Sequence, residues 1–148
     1  MAIDHPIQVI NQKMERSDFC LKPLIGDSMS EGIVEKFQQE REALNNLVMD
    51  YAGLGTKRFY SLDSQAYRNG ALSAKTKELL GLVASFVLRC DDCIKYHVIR
   101  CHEEHVSDEE LEEALFIGLL VGGSITIPHQ RRAFQAWDEL KRKSPAGA

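Results

Sequence analysis

Cys90, Cys93 and His97, set in the stretch CDDCIKYH, combine residue types and spacing that can do covalent chemistry. The thiolate is the reactive form of cysteine, and helix N-termini and nearby cations favour it. Asp91 and Asp92 stand where a helix over CIKYHVIRCHEEH would start, with side-chain oxygens to accept its orphan amide hydrogens. Cys90 then lies at or just before that N-terminus and Cys93 in the first turn, while the aspartates oppose a thiolate by like-charge repulsion. His97 falls one turn beyond Cys93 on the same face, where an imidazole can take the thiol proton and then hold an ion pair with the sulfur. One sulfur attacks and the other resolves. Attack on a peroxide O–O bond leaves a sulfenic acid, a second thiol three residues away condenses with it to a disulfide, and a reductant reopens that by exchange. Disulfide exchange without a peroxide uses the same geometry, so the spacing does not name the substrate.

Two other readings of these residues stay open. The pair can be small buried hydrophobes, since free cysteine is often buried and inert. It can also belong to a metal site, because Cys90, Cys93, His97 and Cys101 share one helical stripe that His105 continues, and thiolate with imidazole suits zinc. Four ligands strung along one helix span too much length to converge on one ion, unless the metal bridges two subunits. Cys101 is most simply a core residue, Cys20 is isolated, His102 and His105 sit among glutamates on a wet face, and His129, near the start of the last helix, is a capping, packing or functional residue.

Helices must position these groups. Ile33, Phe37, Leu44, Val48 and Tyr51 recur at helical steps over 31–51, and GLG at 53–55 ends that helix. A short helix fits SLDSQAYRN at 61–69. Ser73 caps a helix over 74–89 whose Leu79, Val83, Phe86 and Val87 form the core face, with Glu78 at the border of its Leu82 and Phe86 side. Ser107 and Glu110 form a capping box ahead of LEEALFIGLLV, Gly122 and Gly123 stop it, and Pro128 opens a last helix through Lys143. Leu115, Phe116 and Leu119 are core or a subunit interface. Strand alternation is absent, so the fold class is all-α.

The 148 residues fit one domain, 1–148, with 1–28 an irregular arm and 144–148 a polar tail. Four cysteines and an N-terminus without the basic start and long apolar run of a secretory signal point to a reducing cytoplasm. The apolar run from Ala114 to Gly123 falls short of the roughly 20 residues of a membrane span. Net charge is −4 with no basic stripe, so neither membrane nor nucleic acid is expected as a partner. ALFIGLLVGGSITI is apolar on more than one face, which predicts that part of it is buried in a homo-oligomer.

Glu78, Cys90 twelve residues on, and then CxxCxxxH resemble the active-site pattern of the alkylhydroperoxidase D-like proteins of the carboxymuconolactone decarboxylase superfamily, and GGSITIPHQRRAFQAWDEL resembles the helix pair that follows there. The resemblance covers roughly Ser61 to Leu140. It implies a bundle of about six to seven helices, assembled as a trimer or hexamer, that reduces hydroperoxides without a bound cofactor, using a thiol or lipoyl-type protein as reductant. Carried over by position, Cys93 is the peroxidatic thiol, Cys90 the resolving thiol, His97 the base, and Glu78 the group that takes or balances the proton His97 receives. Asp92 departs from the pattern: hydroperoxidase members carry a further histidine there, and its loss removes a proton relay and adds negative charge. The runner-up is a non-catalytic metal-binding or redox-sensing module. The decarboxylases of the superfamily lack the cysteine pair, which places a decarboxylase-like activity on a small cyclic acid third.

Overall fold

A computed structural model describes residues 32–143. Six α-helices and one short 3-10 turn account for the regular structure, with no strand among the described residues. They are α1 (Ile33–Tyr51), α2 (Leu54–Ala66), α3 (Ala74–Val87), α4 (Asp91–Glu103), α5 (Asp108–Gly122) and α6 (Ile127–Lys143), with the 3-10 turn at Ser124–Thr126. The all-α expectation holds for these residues. The predicted arm, the tail and Cys20 lie outside them.

The core is built on α3 and α4. Helix α3 packs against α4 and α5, α6 packs against α4, and α1 touches α6 and α4. Leu82 and Phe86 of α3, Ile94 and Val98 of α4, Leu111 and Leu115 of α5, and Ala133 and Ala136 of α6 are all at or near zero exposure. The buried face of α3 is therefore Glu78, Leu82, Ser85 and Phe86. It is turned from the predicted stripe of Leu79, Val83, Phe86 and Val87, because two helices flank α3 and its contact stripe centres between them. A carboxylate thus stands in the core rather than at its border.

Several helix ends follow side-chain chemistry visible in the sequence. Ser73 Oγ accepts from the Thr76 amide at 3.1 Å. Ser107 Oγ accepts from the Glu110 amide at 3.2 Å while Glu110 Oε2 accepts from the Ser107 amide at 2.7 Å, which completes the capping box. Helix α1 has Gly32 at its N-cap, without a side chain to contribute, and Glu139 of α6 supplies the acceptor by taking the Val34 amide at 3.4 Å. Gly123, at φ 75°, takes the left-handed backbone that ends α5.

The boundaries of α2 and α3 differ from expectation. Helix α2 starts at Leu54, so GLG is a one-turn break and Gly55 belongs to α2, and it ends at Ala66 rather than 69. Glycine costs little in a first turn, and the Lys, Arg, Leu and Gln that follow are good helix formers. Helix α3 ends at Val87 rather than 89, where Arg89 turns the chain at φ 61°.

The stripe predicted for α1 is not a core stripe among the described residues. Val34 and Phe37 are buried, whereas Leu44, Val48 and Tyr51 are exposed, because only the first turns of α1 lie on the other helices. Helix α2 buries nothing, and on α5 Phe116, Ile117, Leu120 and Val121 face outward while Leu115 is fully buried. No helix among the described residues is long and apolar enough to cross a membrane.

Candidate active site

Helix α4 begins at Asp91, and its N-cap is Cys90 rather than either aspartate. Cys90 Sγ accepts from the Cys93 amide at 3.4 Å, a place where helix-terminal N–H groups favour negative charge on sulfur. The Cys90 and Cys93 sulfurs lie at disulfide bonding distance, with the Cα atoms 5.3 Å apart. Cys90 is half-buried and Cys93 exposed. The aspartates, expected as caps, are engaged elsewhere. Asp91 Oδ1 lies 2.7 Å from His129 Nδ1 and accepts from Arg132 Nε at 3.0 Å, which pins the start of α6 to the start of α4. Burial works against the charge on Asp91, but those two hydrogen bonds outweigh it and hold the carboxyl below its ordinary range. Asp92 pairs with Lys95 at 3.0 Å.

His97 projects from α4 into the core and is 7 % exposed, against 1 % for Glu78. Its Nδ1 lies 2.8 Å from Glu78 Oε2, and the other carboxylate oxygen accepts from Arg100 Nε at 3.3 Å. A carboxylate buried to this degree needs such partners, because isolated it would be strongly destabilised. With Nδ1 held by Glu78, a neutral His97 carries its proton there and its lone pair on Nε2, the tautomer of a general base. Tyr67 and Tyr96 flank the ring, with centroids at 5.3 and 5.2 Å. Cys93, His97, Tyr67 and Tyr96 line a cleft of about 400 Å³ with Phe37, Arg41 and Leu44. A second hollow beside it, about 860 Å³, is bordered by Glu78 and Arg100 and shares Arg41, Tyr67 and Tyr96 with the first.

All four candidate residues fall within this region. Cys101 does not join it: the residue is fully buried, and burial, then the charge of Glu78, pushes its thiol up to about 12, which makes it inert. Among the described residues no group of three or more His, Cys, Asp or Glu side chains is placed to hold a metal ion. His105 is exposed, as expected, whereas His102 is half-buried with its ring edge-on to Trp137 at 5.6 Å, off the wet face assigned to it.

Sequence reasoning missed Tyr67, Arg100 and Gly81. A Cβ at position 81 would lie 2.5 Å from His97 Cε1, 2.8 Å from Nε2 and 2.8 Å from Tyr67 Oη, so only glycine leaves room for the imidazole beside Glu78. The available signal was a glycine inside a helical pattern, three positions after Glu78, since a helix-interior glycine often marks a close approach. Gly81→Ala is expected to destabilise the fold by about 1–3 kcal/mol in urea denaturation, although alanine is the better helix former by about 1 kcal/mol. A stability equal to or above that of the wild type would mean that the imidazole is loosely held.

The model of the carboxymuconolactone decarboxylase family matches residues 55–138. Two curated relatives, "Uncharacterized protein 4 in cox locus" of Paracoccus denitrificans and an uncharacterized protein of Cupriavidus necator, are 27% and 28% identical over 82 residues, 55% of this chain and 74% and 73% of theirs. Among solved structures, a Thermotoga maritima protein is 59% identical with a TM-score of 0.70, covering 72% of this chain and 91% of its own. It is described as a family member and a candidate for involvement in antioxidative response. A Legionella pneumophila member, 24% identical over 72% of this chain and 96% of its own, shares the fold at a TM-score of 0.67. The match over more than half its length, carried on the same all-helical fold, makes the chain an alkylhydroperoxidase D-like member of the carboxymuconolactone decarboxylase family.

Proposed function

We propose that this protein is a thiol-dependent hydroperoxide reductase that closes and reopens a Cys90–Cys93 disulfide. The observation that carries the reading is the buried contact of 2.8 Å between Glu78 of α3 and His97 of α4, one turn beyond Cys93 in a cysteine pair at bonding distance. His97 takes the Cys93 proton. The Cys93 thiolate attacks the terminal peroxide oxygen, forming an S–O bond and breaking the O–O bond, so that the sulfur is oxidised and the peroxide leaves as an alcohol. Cys90 displaces hydroxide from the sulfenic acid, which departs as water, and the disulfide closes. A dithiol donor, a thiol or lipoyl-type protein, then reduces it by exchange. The candidate antioxidative role of the Thermotoga relative agrees with such chemistry.

The test is intact mass with peptide mapping of the reduced protein, seconds after one equivalent of an organic hydroperoxide. Loss of two hydrogens mapped to Cys90 and Cys93 is expected, and an unchanged mass would leave disulfide exchange as the activity to pursue. We assign the outward apolar residues of α1, α2 and α5 to contacts between copies of the chain, in keeping with the trimer or hexamer that the resemblance implies. Light scattering that reads a monomer at micromolar concentration would remove that assignment.

A further inference from the structure

We propose that Tyr67 is the acid that protonates the leaving oxygen of the hydroperoxide. The assignment rests on the hydroperoxide reading above. When Cys93 takes the terminal oxygen, the rest of the substrate departs as an alkoxide, a strong base that must gain a proton as the O–O bond breaks. Tyr67 donates it and recovers one from His97, which holds the proton taken from Cys93. The sum is one thiol and one hydroperoxide giving one sulfenic acid and one alcohol, with Tyr67 and His97 restored.

Position supports this role. Tyr67 is the C-cap of α2, and Lys77 of α3 donates from Nζ to the carbonyls on either side of it, Ala66 at 2.8 Å and Arg68 at 2.6 Å. Asn69 Oδ1 accepts from the Ala74 amide at 2.8 Å and ties the same turn to the start of α3. Helix α2 buries no residue, so filling the core does not explain why its end is fastened to α3 by three hydrogen bonds. What the fastening achieves is the placing of one phenol. Tyr67 Oη and His97 Nε2 each lie 2.8 Å from the point where a Cβ would stand at Gly81, so hydroxyl and imidazole face one gap, beside the cleft that Cys93 also lines. Burial, then the charges of Asp63 and Glu78, hold the phenol above its ordinary range and keep it a proton donor at neutral pH.

The experiment compares wild-type protein with Tyr67→Phe against three probes of Cys93: cumene hydroperoxide, peracetic acid and iodoacetamide. Cumyl alkoxide needs a proton in order to leave, acetate does not, and iodoacetamide reports the thiolate alone. The variant is expected to lose about 100-fold in rate with cumene hydroperoxide, the usual worth of a positioned acid, and to keep its rates with the other two. Equal losses with all three would make Tyr67 a packing partner of His97 and overturn the proposal, as would an unchanged rate with cumene hydroperoxide. Wild-type protein that reacts with iodoacetamide but not with cumene hydroperoxide would remove the hydroperoxide reading and the Tyr67 assignment with it. Should Tyr67→Phe fail to fold, difluorotyrosine at the same position keeps the ring and acidifies the phenol. The alkaline limb of the cumene hydroperoxide profile should then move to lower pH, and a limb that stays in place would overturn the proposal.

Discussion

Cys93→Ser is expected to abolish oxidation by hydroperoxides, whereas Cys90→Ser should still be attacked and should stop at the sulfenic acid. The two sulfurs differ in surroundings although only two residues separate them. Cys93 is exposed, lines the cleft, and stands one helical turn from His97. Cys90 is half-buried at the N-cap, where its sulfur takes the Cys93 amide. A thiolate held by that amide is the better leaving group when a donor reopens the disulfide, and the exposed sulfur is the better target for an incoming peroxide. Serine is itself a preferred N-cap, so Cys90→Ser keeps the start of α4 and isolates the chemical effect. Intact mass after one equivalent of hydroperoxide checks both variants. Cys93→Ser should be unchanged, and Cys90→Ser should gain one oxygen that a sulfenic-acid reagent traps, then further oxygens in excess peroxide. Oxidation of Cys93→Ser at the wild-type rate would transfer the attacking role to Cys90.

The parts of this site that were legible in sequence are those encoded locally. Cys93 and His97 lie four apart on one helix with Cys90 at its N-cap, and local geometry alone brings them together. The capping box of Ser107 and Glu110 is equally local, and the structure has it as read. What sequence did not yield depends on contacts between helices. The wheel of α3 left Glu78 at the border of an apolar stripe, since nothing in AKTKELLGLVASFV says that α4 and α5 will both press on the same side. Aspartate beside a helix start is usually a cap, but His129 and Arg132, 38 and 41 positions away, claim the Asp91 carboxylate. The apolar stripe of α1 is real in period, yet Leu44, Val48 and Tyr51 find no helix among the described residues to cover them. Periodicity reports which face is apolar, not what meets it.

Glu78 carries the second large effect, and two substitutions separate its roles. The carboxylate is buried between His97 Nδ1 and Arg100 Nε, with an acceptor oxygen for each. Glutamine keeps the shape but has one oxygen and one amide group. If its oxygen accepts from His97, the amide meets the Arg100 guanidinium, donor against donor. If its amide turns to His97, Nδ1 must accept, the imidazole proton moves to Nε2, and no lone pair remains there for the thiol proton. Either way His97 loses the negative charge that would stabilise it as an imidazolium. Glu78→Gln is therefore expected to slow Cys93 alkylation and peroxide reduction by about 100-fold at neutral pH, with a stability loss of only about 1 kcal/mol. Glu78→Leu removes the acceptor for both partners. Arg100 suffers little, since its side chain is 35% exposed and Glu103 and Glu104 remain beside it, whereas the Nδ1 proton of His97 is left buried without its partner. Breaking a buried pair by removing one member costs about 3–5 kcal/mol, and the wet side of Arg100 puts this case at the lower end, near 3 kcal/mol in urea denaturation. The two variants thus share the loss of rate and differ in stability. Wild-type reactivity of Cys93 in Glu78→Gln would reduce Glu78 to a structural partner of Arg100 and leave His97 to act alone.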